Sequence, residues 1–135
     1  MAEPFAAIPL VVDTSAWVRQ REPGIRERWE ATIRAGLVAS CPVVALELLA
    51  VARDADEHRA LSLALDALPQ APVTTSVCRA ALAASRDLRG SRRLPATDYL
   101  IAAAAAERGF GVLHADRHFD VLTGVLGFPS VRVSD

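Results

Sequence analysis

Four acidic residues stand where a carboxylate has chemistry to offer. Asp13 closes the apolar run Ile8-Pro9-Leu10-Val11-Val12, and Asp116 comes just after Gly111-Val112-Leu113-His114. Asp98 follows Pro95-Ala96-Thr97, at the expected start of a helix. Glu47 interrupts the stretch Val43-Val44-Ala45-Leu46-Glu47-Leu48-Leu49, in a helix that Pro42 is suited to open. An acid there is expensive to bury unless it is paired or bound to a metal. Each also has an ordinary use. The aspartates can cap helices or sit at a helix N-terminus, where a negative charge gains roughly 0.3–1 kcal/mol, and Glu47 can face solvent. Gathered in one place, the four would raise each other's pKa and oppose folding unless a cation compensated. Oxygen donors suit Mg²⁺ or Mn²⁺, and the lack of a Cys/His ligand set argues against zinc. One or two such ions can activate a water and stabilise the leaving oxygen of a phosphodiester.

The elements that must position these residues alternate. Short β-like runs and longer helical stretches predict an α/β fold with a parallel sheet, in which ligands bind beyond the carboxyl ends of the strands. Strands are expected over 8–12, 37–40, 111–114 and 130–133, with a weak one over 73–75. Helices are expected just after Asp13, from Pro23 towards Ala35, and over 42–53. The i, i+3, i+4, i+7 pattern of Leu61, Ala64, Leu65 and Leu68 marks another, ended by Pro69. The stripe Val77, Ala80, Ala81, Ala84 and Leu88 marks a further helix closing near Gly90. A helix over 98–108 has Thr97 as its expected N-cap and Gly109 past its end, and a short one is expected over 117–123. The five alanines at 102–106 would let their helix approach the sheet closely.

Composition narrows the class. At 135 residues with 52% hydrophobic side chains and a formal net charge of -1, the chain is expected to form one domain, 1–135, and not to be disordered. No apolar run is long enough for an export signal or a membrane span, and two cysteines, Cys41 and Cys78, fit a reducing compartment, so a cytoplasmic location is expected. All fifteen basic residues are arginine, which excludes a P-loop ATPase and argues against a receiver-like phosphoryl acceptor.

Four segments together resemble a known family. They are Val11-Val12-Asp13-Thr14-Ser15-Ala16, Glu47 in its helix, Pro95-Ala96-Thr97-Asp98-Tyr99-Leu100-Ile101 with the alanines after it, and Val112-Leu113-His114-Ala115-Asp116-Arg117-His118-Phe119. The resemblance is to the PIN domain, more narrowly to the VapC-type toxins of bacterial toxin–antitoxin pairs, and covers nearly the whole chain. It implies a three-layer α/β/α sandwich around a parallel sheet of four to five short strands. It further implies a Mg²⁺- or Mn²⁺-dependent endoribonuclease, with one or two ions, that hydrolyses RNA by metal-activated water. On this resemblance Asp13, Glu47, Asp98 and Asp116 form the acidic quartet. Ser15 matches a small polar position beside the first aspartate, and Thr14 neighbours it. Implied partners are a transfer or ribosomal RNA substrate, a VapB-like antitoxin and a second copy of the toxin.

The remaining residues of interest have plainer expected roles. Asp120 is read as solvated, and His114 and His118 are left out of the catalytic set. Trp17 and Trp29 are expected in the core. Arg86, Arg89, Arg92 and Arg93 cluster before the third segment and could contact phosphates, or simply end a helix favourably. Arg26, Arg28 and Arg34 form an earlier group. With the quartet set against a cation, the 15 basic residues outnumber the other acids, so the net charge does not exclude RNA. The alternative is a catalytically silent PIN-like module that binds RNA or protein, for which Asp13→Ala and Asp98→Ala would change nothing.

Overall fold

A computed structural model describes residues 2–89 and 93–134. Among the described residues four strands, all parallel, form one sheet in the order β2-β1-β3-β4. β1 (Leu10–Val12) is fully buried and lies at the centre. It begins two residues later than the apolar run because Pro9 has no N–H to give the ladder, although its carbonyl accepts from Gly111 N at 3.0 Å. α1 (Thr14–Trp17) follows at once and α2 (Arg26–Arg34) after a turn. β2 (Val38–Ala39) pairs Leu10 with Val38 and Val11 with Ala39.

Pro42 opens α3 (Pro42–Leu49), which ends one turn short of the expected Arg53. Asp54 then caps α4 (Ala55–Asp66) by accepting from Glu57 N at 2.8 Å. The expected strand over 73–75 does not form. Sheet pairing there is limited to one parallel bridge between Ser40 and Gln70, and Thr74 is instead the N-cap of α5 (Thr75–Asp87), accepting from Val77 N. A hydroxyl that can satisfy a free helix N–H favours the cap over a strand.

α6 (Ala96–Arg108) corrects a second expectation. Its N-cap is Pro95, in extended conformation, so Thr97 lies inside the first turn and caps nothing. Gly109 ends the helix at φ 72°, as its position predicted. β3 (Gly111–His114) occupies the predicted residues. α7 (His118–Leu126) starts one residue later and runs three further than expected, to the left-handed Gly127, and β4 (Ser130–Arg132) completes the sheet.

Strand alternation sorts the core into two layers. Val11, Ala39 and Val112 pack with Val44, Val77, Ile101 and Phe119, on the side of α3, α5, α6 and α7. Leu10, Val12, Val38 and Leu113 pack with Ile25, Trp29 and Phe5 on the other, which is the three-layer sandwich expected. Residues 102–105 are buried, so the alanine run brings α6 onto the sheet as anticipated. Trp29 is buried in the core as expected, while Trp17 is half-buried against it, the two rings meeting edge to face at 4.9 Å between centroids. Among the described residues no helix is long and apolar enough to cross a membrane.

Candidate metal centre

Parallel strands end on one side of the sheet, and three aspartates are carried there. Asp13 leaves β1, Asp116 leaves β3 two residues past its end, and Asp98 lies in the first turn of α6. Asp13 and Asp98 are only 6% and 7% exposed, so both carboxylates are largely withdrawn from water. Asp98 Oδ2 lies 2.8 Å from His118 Nδ1, and the same nitrogen is 3.0 Å from Asp116 Oδ1. Asp98, Asp116 and His118 thus offer one donor atom each, all within 4.8 Å of one another.

Burial pushes the Asp98 carboxyl up to about 6. The hydrogen bond from His118 acts the other way, and the charges of Asp13 and Asp116 raise it further. Asp13 therefore belongs electrostatically to the same cluster. A carboxylate pushed towards protonation by its burial, and further by two neighbouring like charges, is a donor that a hard divalent cation relieves. The residues present fit such an ion.

Short polar side chains hold the carboxylates in place. Ser15 Oγ donates to Asp13 Oδ2 at 2.6 Å, and Ser15 N donates to the same oxygen at 3.1 Å. Asp13 is therefore also the N-cap of α1, so its ordinary use and its place in the cluster coexist. Ser15 Oγ in turn accepts from Ala115 N at 3.0 Å, tying the loop after β1 to the loop after β3. Thr14 Oγ1 donates to Glu47 Oε1 at 3.0 Å. Glu47 is exposed and stands at the rim, joined to the aspartates through Thr14.

Two histidines play parts that the sequence did not assign. His118 sits among the carboxylates. His114, fully buried, accepts from Asp116 N at Nδ1 (3.1 Å), which places its proton on Nε2 for Ser130 Oγ at 2.7 Å. Burial pushes its imidazole below the usual histidine range. Ser130 Oγ then donates to Asp120 Oδ1 at 3.1 Å, and Asp120 pairs with Arg132. Partial burial opposes ionisation of Asp120, but hydrogen bonds from Arg132 and Ser130 hold it below the usual carboxylate range. Asp120 is exposed and turned to β4, not to the aspartate cluster. The signal in the sequence was proximity: His114 ends β3 and His118 opens α7, each two residues from Asp116.

The arginines divide. Arg26 pairs with Glu30, which also approaches Arg34, and Arg28 lies over the Phe5 ring. Arg89 donates to the Arg86 carbonyl at 2.9 Å, closing the end of α5, while Arg86 and Arg93 are exposed. Arg92 lies outside the described residues. A cleft of about 410 Å³ between α5 and α6 is lined by Cys78, Leu82, Leu94, Tyr99 and Leu100. No carboxylate of the cluster lines it, and it is too apolar for the same chemistry.

A parallel α/β sandwich with buried aspartates beyond its strand ends belongs to the class of α/β domains whose site lies outside the carboxyl ends of the strands. The chain matches the PIN domain over residues 10–125 and belongs to that family. A protein named Ribonuclease VapC51, from Mycobacterium tuberculosis, is 38% identical over 128 residues, covering 91% of each chain. Ribonuclease VapC18 of the same organism is 34% identical over 124 residues, covering 88% of this chain and 90% of the relative. Among solved structures, a member of the VapBC family of toxin–antitoxin systems, VapBC-5 from M. tuberculosis, superposes with a TM-score of 0.65 at 25% identity. That match covers 92% of this chain and 98% of the other. DNA-bound VapBC from Salmonella typhimurium shares the fold, with a TM-score of 0.70 at 17% identity over 93% of this chain and 98% of that one.

Proposed function

We propose that this protein is an endoribonuclease, the toxin of a VapBC-like toxin–antitoxin pair, that hydrolyses RNA phosphodiester bonds. The observation that carries the proposal is the convergence of Asp13, Asp98 and Asp116 beyond the carboxyl ends of β1 and β3. Relatives named as ribonucleases across about nine-tenths of the chain support it. Asp13, Glu47, Asp98 and Asp116 would hold one or two Mg²⁺ or Mn²⁺ ions. Such ions, when bound, activate a water and offset charge on the phosphate. The chain's own residues do the rest. Ser15 orients Asp13, Thr14 orients Glu47, and His114 fixes the backbone of Asp116.

The substrate is of the transfer or ribosomal RNA class, and Arg86, Arg89, Arg92 and Arg93 contact its phosphates. The partner is a VapB-like antitoxin, and Leu46 and Val51, at 69% and 76% exposure in and just after α3, offer it an apolar surface. The toxin forms a homodimer, acts in the cytoplasm and comprises a single PIN domain over 1–135. Expression of wild type beside Asp98→Asn, with mapping of new RNA ends, tests the activity. Wild type is expected to arrest growth and to leave 5′-phosphate and 3′-hydroxyl ends, and Asp98→Asn to do neither. Ends bearing 2′,3′-cyclic phosphate contradict hydrolysis by water, and equal arrest by both proteins favours a silent binding module.

A further inference from the structure

We propose that His118 is a nitrogen ligand of the cation held by Asp98 and Asp116, and that it makes the site select Mn²⁺ over Mg²⁺. The inference rests on the metal-centre reading above and deepens it. Nδ1 of His118 lies 2.8 Å from an Asp98 oxygen and 3.0 Å from an Asp116 oxygen. In a six-coordinate shell with bonds near 2.1 Å, neighbouring ligand atoms stand about 3 Å apart. The nitrogen thus stands at the spacing of an adjacent corner from each carboxylate oxygen, and all three donors lie within 4.8 Å of one another. A cation bound to both carboxylates would have this nitrogen within its reach, the Nδ1 proton now shared with Asp98 passing to solvent or the ring taking its Nε2–H tautomer.

The remaining imidazole near the cluster has no free nitrogen. His114 is fully buried, with Nδ1 occupied by Asp116 N–H and Nε2 by Ser130. His118, by contrast, is 35% exposed at its side chain, with room for the ring to adjust as an ion enters. Imidazole is a softer donor than carboxylate. Mg²⁺ takes oxygen almost exclusively and dehydrates reluctantly, whereas Mn²⁺ accepts both donor types. Replacing one oxygen by one nitrogen therefore shifts preference between these two ions without changing the charge supplied by the aspartates.

The test uses the full chain and the metals alone. Pulsed electron paramagnetic resonance of the Mn²⁺-loaded wild type should show a directly coordinated ¹⁴N, and this needs no variant. Calorimetric titration should give tighter binding of Mn²⁺ than of Mg²⁺. His118→Asn keeps a short polar group at the position. It should abolish the nitrogen coupling and lower the Mn²⁺ affinity about tenfold or more, with a smaller loss for Mg²⁺. A wild-type spectrum without coordinated nitrogen overturns the assignment and leaves His118 as a hydrogen-bonding partner of the carboxylates. An unchanged ratio of Mn²⁺ to Mg²⁺ affinity in His118→Asn overturns the selectivity. Asp98→Asn separates the two levels: if it binds Mn²⁺ as wild type does, the metal-centre reading itself fails. If Asp98→Asn loses Mn²⁺ and His118→Asn does not, only the role of His118 fails.

Discussion

Ser15 joins two strand ends with one hydroxyl, receiving from Ala115 N and giving to Asp13. Its removal should therefore loosen the position of Asp13 more than it loosens the fold. Ser15→Ala is expected to cost about 1 kcal/mol of stability, the net worth of an ordinary hydrogen bond. RNA cleavage should fall about tenfold or more, as is usual when the partner of a metal-ligating carboxylate is lost. Cleavage at wild-type rate in a normally folded Ser15→Ala protein would remove Ser15 from the machinery. At this scale the sequence was most informative where backbone and side chain coincide. Asp13, Asp98 and Asp116 were legible because a residue at a strand end or in a first helical turn has its direction set by the element. His118 was not, because its role depends on a ring orientation fixed by Asp98, twenty positions away. Glu47 was legible as an acid in an apolar stretch, but its exposed rim position depends on how far α3 is turned, which the apolar run could not define.

Elements carry a different kind of constraint, and two glycines separate it cleanly. A Cβ on Gly111, the first residue of β3, would meet Leu10 Cδ2 and the Pro129 carbonyl, each at 2.8 Å. A leucine tip can move, but a backbone oxygen beside a central strand cannot move cheaply. Gly111→Ala should cost about 1–3 kcal/mol, like other overpacked sites. Gly124 is an exposed position of α7 with nothing within 4 Å of such a Cβ, so Gly124→Ala should gain about 0.5–1 kcal/mol from helix propensity. Chemical denaturation of the two variants should give shifts of opposite sign, and a neutral Gly111→Ala would mean that β3 and the residues before β4 can part. The strands and helices with strong periodicity were legible because burial on both faces or on one stripe leaves a direct pattern. The departures arose where a single atom decides. Proline's missing N–H delays β1, Thr74's hydroxyl turns a weak strand into a cap, and Pro95 starts α6 before Thr97 can.

At the scale of the whole molecule, the centre and the stability of the fold oppose one another when no cation is bound. Asp98 titrates near 6 in the folded chain and near 3.8 when exposed. The folded state therefore binds the extra proton between those values, and stability is lost as pH rises through that window. Two pH units correspond to about 3 kcal/mol. His114 runs the other way, since its buried neutral ring favours the folded state above the usual histidine range and loses that advantage as pH falls. The informative quantity is thus the difference between wild type and Asp98→Asn, in which the contribution of His114 largely cancels. In chelator-treated protein the two should be nearly equal near pH 4, and Asp98→Asn should become more stable by about 2–3 kcal/mol by pH 7. Adding Mn²⁺ or Mg²⁺ at pH 7 should stabilise wild type and leave Asp98→Asn almost unchanged. At a hundred times the dissociation constant the gain is about 2.7 kcal/mol, enough to offset most of the difference. Thermal or urea unfolding at several pH values, with and without metal, measures every arm. A variant no more stable than wild type in chelator at pH 7 would mean that Asp98 is solvated and that its carboxylate does not need a cation.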